Sequence, residues 1–219
     1  GTMNPVAQIG ELKEKYGVPL LYVDAVSGIG GSVVKTDEWK VDLCLGASQK
    51  CLSAPASIAF LSVSEQAWEI AEEVAYVGYD ALLPFRTAVK SAYFPYTPYW
   101  QGMAQLHRAC ELLLEEGLTK AIARHQQVAE YCRKRITDMG LKLYPVSDAM
   151  PSPTVTAVYV PSWISWKELD KRLREEGLVV GGNYGCLAGE VFRIGHMGTQ
   201  ANLDLVKEAM DILEVKSRK

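Results

Sequence analysis

Apolar and polar positions change period several times along the 219-residue chain, and each change marks an element. In VAQIGELKEKYG, after Asn4-Pro5, Ile9 and Leu12 share one face, lysines and glutamates occupy another, and Gly17 stands where a C-terminal cap belongs. That pattern predicts a helix. PLLYVD is continuously apolar at its centre and lies between Gly17 and the small residues AVSGIGG, so it reads as a fully buried strand with Asp24 at its carboxyl end. VDLCLGAS and SIAFLSVS read as two further short strands, separated by Pro55 and serines. So short a link requires an antiparallel neighbour or strands that are not adjacent. SEQAWEIAEEVA then opens a helix, with Ser64 as N-cap and acidic residues in the first turn.

The interval 76–100 is rich in aromatics and prolines and lacks periodicity, which describes an ordered loop covering a site or an interface. WQGMAQLHRACELLLEEG and LTKAIARHQQVAEYCRKRITDMG are helical and are separated at Gly117. Beyond Gly140, LKLYPV, TVTAVYVP and VFRIGHM read as strands, SWKELDKRLREEG as an amphipathic helix opened by Ser165, and 202–215 as a final helix. The expected fold class is therefore α/β: a mixed sheet in residues 1–116, followed by a small α+β unit with an antiparallel sheet in residues 117–219.

Composition narrows the function classes. The chain is 48% hydrophobic and 22% charged with a formal net charge of -3, which describes an ordinary globular protein. It has no run of lysines and arginines to meet a phosphate backbone, so a small-molecule partner is expected and nucleic acid is not. No apolar run approaches the roughly 18 residues that cross a bilayer, so no membrane partner is expected. Five cysteines without metal-ligand spacing predict reduced, mostly buried thiols in a cytoplasmic protein.

Two charged groups end or follow buried strands, Asp24 after LLYV and Lys50 just past VDLCL. Ligands of open α/β sheets bind outside the carboxyl ends of the strands, so both could face one crevice. A lysine and a carboxylate there suit pyridoxal 5'-phosphate, which needs an amine for its Schiff base and an acid to keep its ring nitrogen protonated. On spacing alone, Asp24 is equally a turn former and Lys50 a solvated surface cation. GIGG at 28–31 lacks the GxGxxG spacing of a dinucleotide loop and reads as a tight turn. His107 and His125 fall on helix faces among charged residues and read as surface histidines, while His196 either lines the site or is structural.

LLYVDAVSGIGG, LGASQKCLSAPASIAFLSVS, SPTVTAVYVP and FRIGHMG together resemble the class V aminotransferases of fold type I, nearest the alanine–glyoxylate and serine–pyruvate group. The resemblance extends in order over essentially the whole chain. It implies that Lys50 is the Schiff-base lysine, that Asp24 pairs with the pyridine nitrogen, and that Val26 packs under the ring. Gln49 would lie near the cofactor phosphate, and Tyr96-Thr97 resembles a loop reaching a neighbour's phosphate across a homodimer interface. Arg193 matches the arginine that clamps the substrate α-carboxylate, a task suited to its planar fork.

The implied reaction is transfer of an amino group from a small amino acid, alanine or serine, to a 2-oxo acid, glyoxylate or pyruvate. SDAMPSPTVTAV and RIGHMG also resemble pyridoxamine–pyruvate aminotransferase. Cysteine desulfurases fit less well, because their lysine follows a histidine and here Gln49 precedes Lys50. Family members carry a larger segment ahead of the point where GTMNP begins, supplying a phosphate loop and a ring-stacking aromatic. The resemblance therefore implies the C-terminal part of such an enzyme, or else a non-catalytic piece that needs a partner chain to complete the cofactor site.

Overall fold

The computed structural model describes residues 1–218. Helix α1 (Val6–Tyr16) ends on Gly17 in the left-handed conformation, φ 62°, whose N–H reaches the last-turn carbonyls. Strand β1 (Tyr22–Asp24) pairs in parallel with β2 (Leu43–Ala47), and β2 pairs antiparallel with β3 (Ala59–Val63), Leu43 facing Val63 and Ala47 facing Ala59. The short link thus joins antiparallel neighbours, as its length requires.

Two expectations for this region change. β1 is an edge strand rather than a fully buried one: Tyr22 is 55% exposed and Asp24 is exposed, because β2 is the only strand paired with it among the described residues. On α1, Ile9 and Leu12 are open to solvent, and the packed positions are Gly10 and Lys13. A Cβ on Gly10 would sit 2.0 Å from the Trp39 carbonyl oxygen, so the helix approaches that loop backbone to backbone. Lys13 Nζ lies 2.6 Å from Asp42 Oδ2, and both side chains are buried. Burial pushes the Asp42 carboxyl up, yet hydrogen bonds from Lys13, the Leu21 N–H and Ser64 outweigh it and hold its pKa below the ordinary value.

Ser64 caps α2 (Glu65–Val74), its hydroxyl accepting from the Ala67 N–H at 3.1 Å. The aromatic interval is more regular than its sequence implies, with one-turn helices α3 (Leu83–Arg86) and α4 (Ala88–Ser91). Arg86 anchors it to α2 through ion pairs with Glu65 and Glu72. Helix α5 (Trp100–Glu116) then meets Gly117, φ 90°, and the chain continues as α6 (Leu118–Asp138).

The second sheet pairs β4 (Val155–Tyr159) antiparallel with β5 (Val191–Gly195), Ala157 opposite Arg193. Helix α7 (Trp166–Glu175), capped by Ser165, and α8 (Leu203–Lys216), capped by Asn202, pack with α6 around Cys132, Ile136, Leu169, Phe192 and Met210. LKLYPV does not form the expected strand. Only Leu143 bridges to Val158, since Pro145 offers no N–H to continue a ladder. All five cysteines are free thiols; Cys44, Cys51 and Cys132 are buried, and Cys186 is exposed. Among the described residues no helix is long and apolar enough to cross a membrane.

Candidate active site

Asp24 closes β1 and begins a turn. Its Oδ1 accepts the Val26 N–H at 2.9 Å, so it acts as a turn former, while Oδ2 has no hydrogen-bond partner among the described residues. The following turn is tight, as GIGG predicts: the Gly28 and Ile29 amides both reach the Ala25 carbonyl at 2.9 Å. A groove of about 900 Å³ runs from α1 along β1 to residues 150–154, with Asp24 in its wall. Lys50 and Arg193 do not line that groove; they stand beyond the carboxyl end of β2 and on β5.

Lys50 sits in the turn after β2, half-buried, with Gln49 exposed beside it. The turn is fixed by Ser48, whose buried hydroxyl donates to the Pro55 carbonyl at 2.6 Å and accepts from the Ser57 and Ile58 N–H groups. The Lys50 amine itself has no hydrogen-bond or ion-pair partner among the described residues, which leaves it available for chemistry. Next to it, burial pushes the Cys51 thiol up to about 11. A neutral thiol there cannot trap the amine in an ion pair.

Packing joins the Asp24 turn to the Lys50 turn. Cys51 Sγ lies 3.6 Å from the Ser27 carbonyl oxygen, and a Cβ on Gly31 would come within 2.8 Å of the same sulfur. Parallel pairing puts the carboxyl ends of β1 and β2 at one edge, with Asp24 level with Leu45. Asp24 and Lys50 therefore leave the sheet on the same side.

Arg193 lies in the middle of β5. Its Nε and Nη2 donate to the Gly182 carbonyl at 2.9 and 2.7 Å, and its guanidinium carbon stands 5.3 Å from the centre of the Tyr184 ring. Nη1 has no partner among the described residues. Six residues later the Ser53 hydroxyl of the Lys50 turn accepts the Thr199 N–H at 2.9 Å, so the segment after β5 rests on that turn. Tyr96 and Thr97 stand apart. Tyr96 meets Tyr79 and Phe85, with ring centres 4.6 and 6.0 Å away, and Thr97 is exposed before α5.

Both histidines near the site are buried. His196 bonds Thr156 Oγ1 on β4 at 2.9 Å, and burial lowers its pKa to about 4. His125 is not the surface residue that its charged sequence neighbours suggest. It is completely buried, against Gly198. Sequence reading also passed over Tyr184 and Gly182, although the glycine-rich GGNYG just ahead of β5 marks a backbone brought close to something.

The family model for aminotransferase class V matches residues 1–197. The chain belongs to the class V aminotransferases. It is 37% identical over 202 residues to an uncharacterised aminotransferase of Methanocaldococcus jannaschii, covering 90% of this chain and 52% of that protein. It is 35% identical over 213 residues to a serine–glyoxylate aminotransferase of Arabidopsis thaliana, covering 94% and 52%. The solved pyridoxamine–pyruvate aminotransferase of Mesorhizobium loti superposes with a TM-score of 0.92 at 33% identity, covering all of this chain and 58% of that one. The α/β architecture is thus that of the fold type I transferases, and this class V chain spans about half the length of the curated relatives it matches.

Proposed function

We propose that this chain carries the lysine, the acid and the carboxylate-binding arginine of a pyridoxal 5'-phosphate-dependent transaminase. The observation that carries the reading is the free Lys50 amine, held at the sheet edge shared with Asp24 and linked through Ser53 to the segment that follows Arg193. These donors suit the cofactor: Lys50 would hold it, and the unpaired Oδ2 of Asp24 would face its ring nitrogen. Val26 would pack beneath the ring, and Gln49, Tyr96 and Thr97 are proposed at the phosphate, the last two from the neighbour in a homodimer. The exposed aromatics Tyr76, Tyr79, Tyr93 and Trp100 support such an interface.

When bound, the cofactor supplies an electron sink that acidifies the amino acid's Cα–H. Arg193 orients the substrate by its carboxylate, using the N–H groups that Gly182 leaves free. Asp24 would stabilise positive charge at the ring nitrogen. The Lys50 amine takes the α-proton as a general base and returns it on the far side of the transfer.

The donor is proposed to be alanine or serine and the acceptor glyoxylate or pyruvate, following the relatives' names. Superposition on pyridoxamine–pyruvate aminotransferase favours a second reading, with pyridoxamine as donor. Residues 1–116 are proposed as the C-terminal part of the cofactor domain and 117–219 as the small domain, divided at Gly117. Five free thiols support a cytoplasmic setting.

Single-turnover mixing of the loaded complete protein with alanine, serine or pyridoxamine tests the donor. An amino acid that discharges its amino group with a spectral change supports the first reading. Response to pyridoxamine alone supports the second, and response to none contradicts both.

A further inference from the structure

Helix α6 carries two adjacent side chains that act on one residue, Gly198, of the segment after β5. His125 Nδ1 lies 2.7 Å from the Ala121 carbonyl oxygen, and Nε2 lies 2.8 Å from the Gly198 amide nitrogen. A carbonyl accepts only from N–H and an amide donates only to a lone pair, so the ring is neutral with its proton on Nδ1. Burial acts in the same direction, lowering the His125 pKa. Arg124 holds the other side of that glycine: Nη1 donates to the Gly198 carbonyl at 2.7 Å and to the Ala201 carbonyl at 2.8 Å. Its Nε and Nη2 are meanwhile fixed by the two oxygens of Glu116 at 2.7 and 2.8 Å.

Gly198 adopts φ +56°, and a Cβ there would come within 1.9 Å of Ser53 Oγ and 2.6 Å of the Cys51 carbonyl oxygen. The turn after Arg193 is therefore pressed, backbone to backbone, on the turn that begins at Lys50. Ser48 fixes the Lys50 turn by separate bonds, so the Gly198 contact sets spacing rather than the shape of that turn.

We infer that His125 and Arg124 are positioning residues which, by clamping Gly198 onto the Cys51–Ser53 turn, set the separation between the Lys50 amine and the Arg193 guanidinium. This rests on the roles proposed above for Lys50 and Arg193. Glycolate serves as the probe, because it offers a carboxylate and has no amino group to exchange. In the complete protein loaded with pyridoxal 5'-phosphate, calorimetry gives its Kd, steady-state kinetics give donor KM and kcat, and visible absorbance reports the cofactor. His125→Ala leaves the Gly198 N–H buried without an acceptor, a loss that corresponds to about a tenfold rise in glycolate Kd and donor KM. The cofactor absorbance stays and kcat changes less than KM.

His125→Gln restores an acceptor oxygen and brings the glycolate Kd back toward wild type. If His125→Ala does not fold, Ser53→Ala, at the exposed end of the same contact, raises the Kd by a smaller factor with the cofactor retained. An unchanged glycolate Kd in the folded variants overturns the inference, as does equal loss of cofactor and glycolate without rescue by glutamine. Wild-type protein that holds cofactor but binds no glycolate overturns the Arg193 assignment instead, and the inference with it.

Discussion

Arg193 spends two donors on one carbonyl, and what remains decides how it can meet a ligand. With Nε and Nη2 on Gly182, the end of the guanidinium away from the strand is the part left to grip a carboxylate, with the Tyr184 ring over its face. Arg193→Lys keeps the charge and loses the planar fork, so the donor KM should rise by roughly 30-fold, with a smaller change in kcat. Equal KM values for variant and wild type would rule out carboxylate binding by Arg193. The buried histidines give a separate, pH-dependent signature. His196 titrates near 6.5 when unfolded and about 4 when folded, so the unfolded chain binds more protons between those values. Stability should be flat above pH 6.5 and fall as pH drops toward 4, by roughly 3 kcal/mol from this group. His125 shifts in the same direction. Urea midpoints across that range check it, and a constant midpoint from pH 7 to 4.5 would contradict the burial argument. The places of Asp24, Lys50 and Arg193 in the fold were legible in the sequence, because they end, follow or lie inside a strand beside distinctive small residues. His125 was not: its partner is Gly198, and nothing in ARHQQ signals a contact so distant along the chain.

At the scale of elements, local signals read well and pairing did not. Ser64 and Ser165 cap their helices as the sequence implies, since a cap depends only on the next three residues, and Asn202, read as the first residue of the last helix, is its cap instead. The exposure of β1 and the loss of a strand at LKLYPV depend instead on which neighbours exist across the ladder. The Lys13–Asp42 pair belongs to the same class, because periodicity placed a lysine at position 13 on a solvated face. Asp42 also accepts the Leu21 N–H at 2.7 Å and Ser64 Oγ at 3.0 Å, so this one carboxylate joins α1, the approach to β1 and the cap of α2. Lys13→Ala would leave it buried without its cation, and the complete protein should lose about 3 kcal/mol in urea unfolding at neutral pH. A loss within error of zero would show that water reaches Asp42.

For the molecule as a whole, the decisive relation is between two sheets that share no strand. The parallel pair β1–β2 aims Asp24 and Lys50 to one edge, while the antiparallel pair β4–β5 carries Arg193, and the segment after β5 rests on the Lys50 turn through the bond from Thr199 N–H to Ser53 Oγ. The order of elements and the class of each sheet were readable from period and spacing; the contact that joins them was not, because it pairs side chains with backbone groups more than seventy residues away. The chain spans about half of its curated relatives, so the cofactor measurement belongs to the complete protein. Borohydride reduction of that protein loaded with pyridoxal 5'-phosphate, followed by peptide mass mapping, tests the central assignment most directly. The reduced cofactor should be found on Lys50, and Lys50→Ala should take up none; label on another lysine, or colour and turnover that survive Lys50→Ala, would contradict it.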